Sequence, residues 1–398
     1  MQELSGGLQQ AARAAARLLE AAGHRAWLVG GAVRDLALAK PATDADLTST
    51  ATPDEIESIF EHTVPIGRPF GTMLIQIEGE EIEHTTFRSE SGYSDRRRPD
   101  SVAFGRTPQE DASRRDFTCN ALYLDPLRDE FLDPTGGYRD LEAGLLRCVG
   151  AAEQRFREDG LRILRMARFA AALGLQLAPG MLEAASSASA ALEGVAGERV
   201  RDELAKIFAK PCHSRAIELL ENCGALGRLF RPWHGAPLAD LAGAKSPPGL
   251  ELGLALLLRR QPESLDILKP SREERTRLQD CWRLLPALGA LAHGPRSTRI
   301  FAARSPGYWL ALECARARGR ADHDLEAWAS EMQQLGAEGL HPPALLGSAE
   351  LAASGLSRGP LWRQVLREAE VLQLDGILRD RADALAWLAA RAQDGGKR

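Results

Sequence analysis

An α+β unit followed by a long all-α remainder is the fold class predicted by this chain of 398 residues. Three observations predict it. Short apolar runs with period-2 alternation, bounded by turn residues, fill the first 150 residues and then stop. From there on Ala, Leu, Glu and Arg dominate, interrupted by Pro/Gly punctuation at 179–180, 231–237, 246–249, 294–295, 305–307 and 342–343, and no fixed-period repeat is present. The length also exceeds what one small core can organise, so more than one packed unit is expected.

The start, MQELSGGLQQAARAAARLLEAAG, carries Glu3 and Glu20 among its arginines and has no apolar signal core, so it predicts an amphipathic helix over roughly 6–22 rather than a targeting segment. RAWLVGG predicts a strand ending at a glycine pair, and DADLTS a second strand. Thr52 as N-cap and Pro53 at the first helical position predict a helix over 53–61. In GTMLIQIEGEEIEHTTF the alternation is clearest over Met73–Ile77, and Glu78-Gly79-Glu80-Glu81 predicts a hairpin turn before Ile82. SVAFG, FTCNALYLDP and RDEFLDP add three further β-type runs, giving a mixed or antiparallel sheet with those two helices.

Composition bounds the function. Apolar residues are 44% and charged residues 26%, ordinary values for a soluble globular chain, and no apolar run approaches the ~18 residues of a membrane span. The six cysteines, 119, 148, 212, 223, 281 and 314, form no C-x-x-C pair. That disfavours a zinc ribbon or disulfide framework and predicts a cytoplasmic location. A formal net charge of −5 argues against indiscriminate coating of nucleic acid but leaves room for local basic surface.

The stretch LVGGAVRDLALAKPATDADLTSTATPDEI carries the chemistry. Asp44 and Asp46, read as i and i+2 of one strand, project from one face, where two carboxylates repel unless a cation sits between them. A random D-x-D is usually a solvated strand end, but the context here differs. Gly30-Gly31 permits close backbone approach at a strand-to-helix turn, the helix N-terminus offers N–H groups to an anion, and Arg34 on its first turn can add a charge-assisted contact to phosphate. A phosphate cradle beside paired carboxylates is what two-metal phosphoryl or nucleotidyl transfer requires, with a pair of Mg²⁺ ions as cofactor. Glu83, in EIEHTTF, is the candidate third carboxylate on a neighbouring strand; its alternative is a surface acid.

These residues carry a resemblance. GGAVRD…DADLTSTATPDEI is similar to the signature of class II tRNA nucleotidyltransferases (CCA-adding enzymes) and the related bacterial poly(A) polymerases. The similarity continues in order through TTFRSESGYSDRRRPDSVAF, RRDFTCNALYLDP, DPTGGYRDLEAGLLRCVG, RFREDGLRILRMARFAAALG and ERVRDELAKIF, densely over about 24–210. Beyond 210 it thins to fragments such as LKPSREERTRL. The resemblance implies a nucleotidyltransferase head over 1–150, a helical neck over 151–215 that recognises the base, and a body over 216–300 and tail over 301–398 that bind tRNA. It implies the tRNA 3′ end, ATP and CTP as partners, with no membrane and no protein partner.

The resemblance also places Arg114-Arg115-Asp116 and Asn120 at the nucleotide's ribose and phosphates, where a carboxylate and an amide can hold a 2′-OH; the structural alternative is a salt bridge and a turn Asn. Glu158, Asp159 and Arg162 are read on a helix continuing through Arg165, Met166 and Phe169, with Asp159 and Arg162 on one face. The plain alternative is an intrahelical ion pair. A carboxylate acceptor beside a guanidinium donor also complements the edge shared by cytosine and adenine, an amino group next to an unprotonated ring nitrogen, and mismatches uracil and guanine. The resemblance assigns these two positions that role. In ERVRDELAK, the charged Glu198, Arg199, Arg201 and Asp202 are read as bracing that helix.

Full CCA addition is the preferred reading, and an enzyme adding only the terminal A shares every block. Residues 89–100, SESGYSDRRRPD, read as a charged loop whose presence counts against a CC-only enzyme; the acidic balance and short end count against a poly(A) polymerase. The carboxylate pair counts against a non-catalytic RNA-binding relative. Arg296 and Arg299, with Arg304, Phe301 and Tyr308 nearby, are candidate RNA-backbone contacts or a solvated loop. His323-Asp324 is read as a solvated helix start, and Trp309, Trp328, Trp362 and Trp387 as helical core.

Overall fold

The computed structural model describes residues 6–42, 44–91, 101–244 and 247–395. The chain divides into two compact units, one of residues 1–236 with 267–269, the other of 237–266 with 270–398. The expected head and neck fall inside the first unit, whereas the expected body, 216–300, is divided between the two.

In the first unit, α1 (Gly6–Ala21) leads into β1 (Trp27–Val29), α2 (Gly31–Ala37), β2 (Asp46–Ser49) and α3 (Pro53–Ile59). Then come β3 (Thr63–Gly67), β4 (Thr72–Ile77), β5 (Glu80–Thr86), β6 (Arg88–Ser91) and β7 (Ser101–Phe104). The sheet is completed by α4 (Pro108–Arg114), β8 (Tyr123–Asp125), β9 (Glu130–Leu132) and α5 (Gly137–Glu142). Its seven strands run in the order β3-β4-β5-β2-β1-β8-β9. β2 pairs in parallel with β5, and the other neighbours are antiparallel, so the sheet is mixed as expected.

Local chemistry accounts for several elements. Thr52 accepts from the Glu55 backbone N–H while the Glu55 carboxylate accepts from the Thr52 N–H, a reciprocal cap that starts α3 behind Pro53. The β4–β5 hairpin closes on Glu78-Gly79, both with positive φ, as a two-residue turn requires. Under the sheet, Trp27, Val29, Phe87, Ala112, Ala121, Tyr123 and Val149 form one buried cluster that ties β1 and β8 to α4.

The sheet region departs from expectation at four places, the first being the edge strand β3, which the expected strands do not include. α4 and α5 are helices that the sequence reading lacks; each is only two turns or less, too short for periodicity to register. The signal for α4 was nonetheless present, since Thr107-Pro108 caps it just as Thr52-Pro53 caps α3. Residues 89–91 of the expected charged loop belong to β6, paired with β7, and 92–100 lie outside the described residues. Asp44 is not on a strand: β2 begins at Asp46, whose β1 partner is Val29. The next residue, Gly30, turns the chain away at φ 75°, ψ −130°, so no β1 backbone remains to pair with Asp44.

The first unit then turns helical, with β10 (Leu145–Leu146), α6 (Ala152–Glu158), α7 (Leu161–Leu173), β11 (Gln176–Leu177), α8 (Met181–Ser187), α9 (Gly197–Phe208), α10 (His213–Asn222) and α11 (Ala225–Leu229). The single helix expected through Glu158, Asp159 and Arg162 is two helices. Asp159 is extended at φ −146°, ψ 106°, and ends α6; Gly160 precedes α7. A Cβ on Gly160 would lie 2.6 Å from the Ala191 carbonyl oxygen, so glycine lets the break pack against that backbone.

In the second unit α12 (Leu238–Gly243), α13 (Gly249–Leu257), α14 (Arg272–Leu284), α15 (Leu288–Ala292) and α16 (Arg296–Ala303) precede α17 (Tyr308–Ala317) and α18 (His323–Leu340). α19 (Ser348–Ala353), α20 (Pro360–Leu374) and α21 (Arg381–Gly395) follow. Trp328 is fully buried against Tyr308, ring centroids 5.0 Å apart. Trp362 and Trp387 pack on the cluster of Leu351, Val365, Ala384 and Leu388. Trp309 corrects the core expectation, being 43% exposed: α17 buries Tyr308, Ala311, Leu312 and Ala315, and the residue after Tyr308 projects about 100° away around the helix. His323 opens α18 behind the Asp322 N-cap and is exposed, as read. Among the described residues no helix is long and apolar enough to cross a membrane.

Candidate active site

Strand register assembles the acids. Asp46 on β2 lies directly across from Glu83 on β5, so the carboxylate expected on a neighbouring strand is in the same row and on the same face. Asp44 is close enough to act electrostatically on both. Burial, then Glu83, then Asp44, push the Asp46 carboxyl up to about 7, with Arg115 opposing. Loss of hydration raises Glu83 above the usual carboxylate range; Arg88 opposes the shift and Asp44 adds to it. Gly30 is required by its positive φ, and its α-carbon faces the narrow gap between Asp46 and Arg115. A Cβ there would lie 3.7 Å from Asp46 Oδ2 and 3.9 Å from an Arg115 terminal nitrogen.

Asp111 fixes Arg115. Its carboxylate is fully buried and accepts from Arg114 Nε (2.7 Å), Arg115 Nε (2.9 Å) and the Tyr123 hydroxyl (2.8 Å). Burial would raise this acid, but Arg115 and Arg114 outweigh it and hold the carboxyl down at about 2.

A second network joins the glycine turn to the helices. Arg34, buried on α2, donates from Nε to Asp35 (2.9 Å) and from a terminal nitrogen to Asn120 Oδ1 (2.9 Å). Asn120 Nδ2 donates to Asp116 (3.1 Å), and Asp116 accepts from Arg165 Nε (2.7 Å). Burial opposes the charge of Asp116, but Arg165 and Asn120 prevail and keep its carboxyl below the usual range. The guanidiniums of Arg34, Arg165 and Arg168 stand 5.6, 5.3 and 4.0 Å from the Phe169 ring centroid. Arg34 is thus tied into side chains of the site rather than held out as a lone phosphate contact. The sequence reading does not single out Arg168 or Asp111, although Arg162, Arg165 and Arg168 recur every three residues and so line one side of α7.

Asp159 and Arg162 are both at the α6–α7 break, each held by a different partner. Asp159 accepts from Arg199 (3.3 and 2.8 Å) and from the Leu161 N–H (3.1 Å). Arg162 donates to Glu158 (2.7 Å), to the Arg155 carbonyl (3.1 Å) and to the Arg114 carbonyl (3.3 Å). Burial disfavours the charge of Glu158, but Arg155 and Arg162 overcome it. The bracing expected from 198–202 runs through Arg199, and Glu203 adds an ion pair to Arg168.

Arg296 and Arg299 lie elsewhere, in the second unit. Both pair with Glu331 (3.2 and 2.6 Å), and Arg296 also donates to the Leu374 carbonyl. Arg304 is tied to Glu370 (2.5 Å) and the Leu340 carbonyl. These arginines tie helices together, which corrects the solvated-loop alternative: Arg296 and Arg299 belong to the regular helix α16, where Glu331 of α18 reaches them.

Residues 26–147 match the family described as "Poly A polymerase head domain", and 174–234 the one described as "Probable RNA and SrmB- binding site of polymerase A". The CCA-adding enzyme of Geobacillus thermodenitrificans (strain NG80-2) is 42% identical over 52% of this chain and 51% of its own, so the chain spans about half the length of that curated relative. The CCA-adding enzyme of Geobacillus stearothermophilus is 35% identical over 87% of this chain and 78% of its own. In three dimensions the chain is similar to the crystal structure of the Bacillus stearothermophilus CCA-adding enzyme in complex with CTP, with TM-score 0.76, 26% identity and 98% of both chains covered. Likeness that holds over more than three quarters of a curated relative and both parts of the fold means that the chain belongs to the CCA-adding enzyme family.

Proposed function

We propose that this protein is a template-independent nucleotidyltransferase that builds the 3′-terminal CCA of tRNA from CTP and ATP in the cytoplasm. The observation that carries the reading is the row of acids formed by Asp46 and Glu83, with Asp44 beside them, opposite Gly30 and Arg115 in a chain of this family. Magnesium keeps most of its water and takes only one or two carboxylates together with substrate phosphates. Burial, then the charges of Glu83 and Asp44, hold Asp46 near 7; such hard oxygen donors fit a divalent cation, and Asp44 and Asp46, with Glu83 as the third ligand, would hold a pair of Mg²⁺ ions. Bound there, magnesium supplies the positive charge that neutralises the triphosphate and the departing pyrophosphate.

The protein's own groups do the rest. The backbone at Gly30 and Gly31 lets the triphosphate approach, and Arg115 and Arg34 contribute positive charge beside it. Asp116 and Asn120, aligned by Arg165, hold the ribose. Asp159 and Arg162 read the base edge; three of the roughly four lone-pair directions of the Asp159 carboxylate are taken by Arg199 and Leu161, which orients the remaining one. The test is incubation with tRNAs ending at the discriminator base, at C and at CC, each with CTP or ATP, read at single-nucleotide resolution. Growth of all three to CCA is expected. Addition of A alone, to CC ends only, would restrict the function to the final step.

A further inference from the structure

The second unit contains a cavity of about 440 Å³ lined by Trp282, Leu288, Ala315 and three arginines, Arg259, Arg318 and Arg320. Nothing in the proposed reaction uses it. One carboxylate, Asp240, serves the group: it accepts from Arg259 at 2.7 Å and lies 3.4 Å from Arg318 Nε. Three guanidiniums against one carboxylate leave a net charge of about +2 at the cavity wall. The arginines are also poorly satisfied. The Nε–H groups of Arg259 and Arg318 are buried and have no hydrogen-bond partner among the described residues. Arg320 is exposed and makes no side-chain hydrogen bond or ion pair among them. Burial, then Arg259 and Arg320, hold Arg318 below the ordinary arginine range, the direction expected where like charges are gathered without an anion.

We infer that this cavity is an anion site, shaped to take a phosphate group among Arg259, Arg318 and Arg320. An oxyanion with several acceptor oxygens offsets the excess charge, and guanidinium forks match phosphate geometry. The phosphate can belong to an RNA backbone or be free in solution, and the two sources are separable. The site is independent of the head, so its test does not depend on the proposed catalytic roles.

Arg320→Gln is the informative variant, because an exposed residue without side-chain partners can be changed without unfolding the protein. Arg379→Gln, exposed and on the far-sequence side of the same unit, is the control. Full-length proteins are titrated with tRNA at several salt concentrations, and exchange of backbone amides over 312–322 is followed with and without inorganic phosphate. If the phosphate is RNA's, Arg320→Gln weakens tRNA binding several-fold and reduces the slope of log affinity against log salt by about 0.7–0.9, one phosphate contact. If it is free, inorganic phosphate slows exchange over 312–322 in the parent and not in Arg320→Gln, with the tRNA slope unchanged. An unchanged slope together with phosphate-independent exchange in both proteins overturns the inference.

Discussion

Replacing Asp111 with Asn removes a charge that two arginines and a tyrosine were folded around. In the parent, Arg114 and Arg115 approach its oxygens to 2.6 and 2.8 Å as ion pairs, and Tyr123 donates at 2.8 Å, with no exposure of the carboxylate. Asn keeps the shape but sets an N–H₂ donor against a guanidinium and takes from both cations the negative charge they share. Two routes give the size of the loss. Displacement of the carboxyl from 3.8 to about 2 corresponds to roughly 2–3 kcal/mol at neutral pH. Breaking a buried pair by removing one partner costs about 3–5 kcal/mol. An intermediate loss of about 3 kcal/mol means roughly a hundredfold less protection from local opening. Amide exchange of the segment 108–124, compared between parent and Asp111→Asn, measures it. The sign of the pH dependence follows from the lowered carboxyl. The contribution is complete above the unfolded value near 3.9 and fades as pH falls through about 2, so the gap between the proteins should close over that interval. A loss of protection below about threefold at pH 7, the scale of a surface pair, would refute the view that this carboxylate organises Arg115.

Asp44→Ala and Asp46→Ala should each abolish nucleotide addition while leaving tRNA affinity within a few-fold; substantial turnover at saturating Mg²⁺ in both would remove the site assignment. Arg199→Ala removes the two hydrogen bonds that Arg199 donates to Asp159 and should raise UTP and GTP incorporation relative to CTP and ATP in a four-nucleotide competition, whereas a purely structural Arg199 predicts lower stability with unchanged preference. Gly160→Ala forces a methyl into the Ala191 carbonyl, 2.6 Å away, and should destabilise the first unit by about 2 kcal/mol or more; a melting temperature equal to the parent's would show that the α6–α7 break can shift freely.

Local and chemical features were readable from the chain alone. Thr52 and Pro53 start their helix because a cap needs only neighbours in sequence. The mixed sheet, the hairpin at Glu78-Gly79 and the acid on a neighbouring strand follow from alternation and turn chemistry, both local. What lay beyond it are facts decided by residues far apart in sequence. The helix through Asp159 breaks because Gly160 meets Ala191, and Asp159 is claimed by Arg199, forty positions on. An i,i+3 spacing cannot foresee either competitor. Arg296 and Arg299 look free in sequence, but Glu331 reaches them from another helix. Asp111 passed unnoticed although its cations, Arg114 and Arg115, stand only three and four positions on, because its complete burial, not the spacing, sets the pair apart. The sequence determined which residue types could perform the chemistry and in what order they occur. Tertiary structure alone decided which charges neutralise one another, because Coulomb energy depends on distance and dielectric and not on separation along the chain.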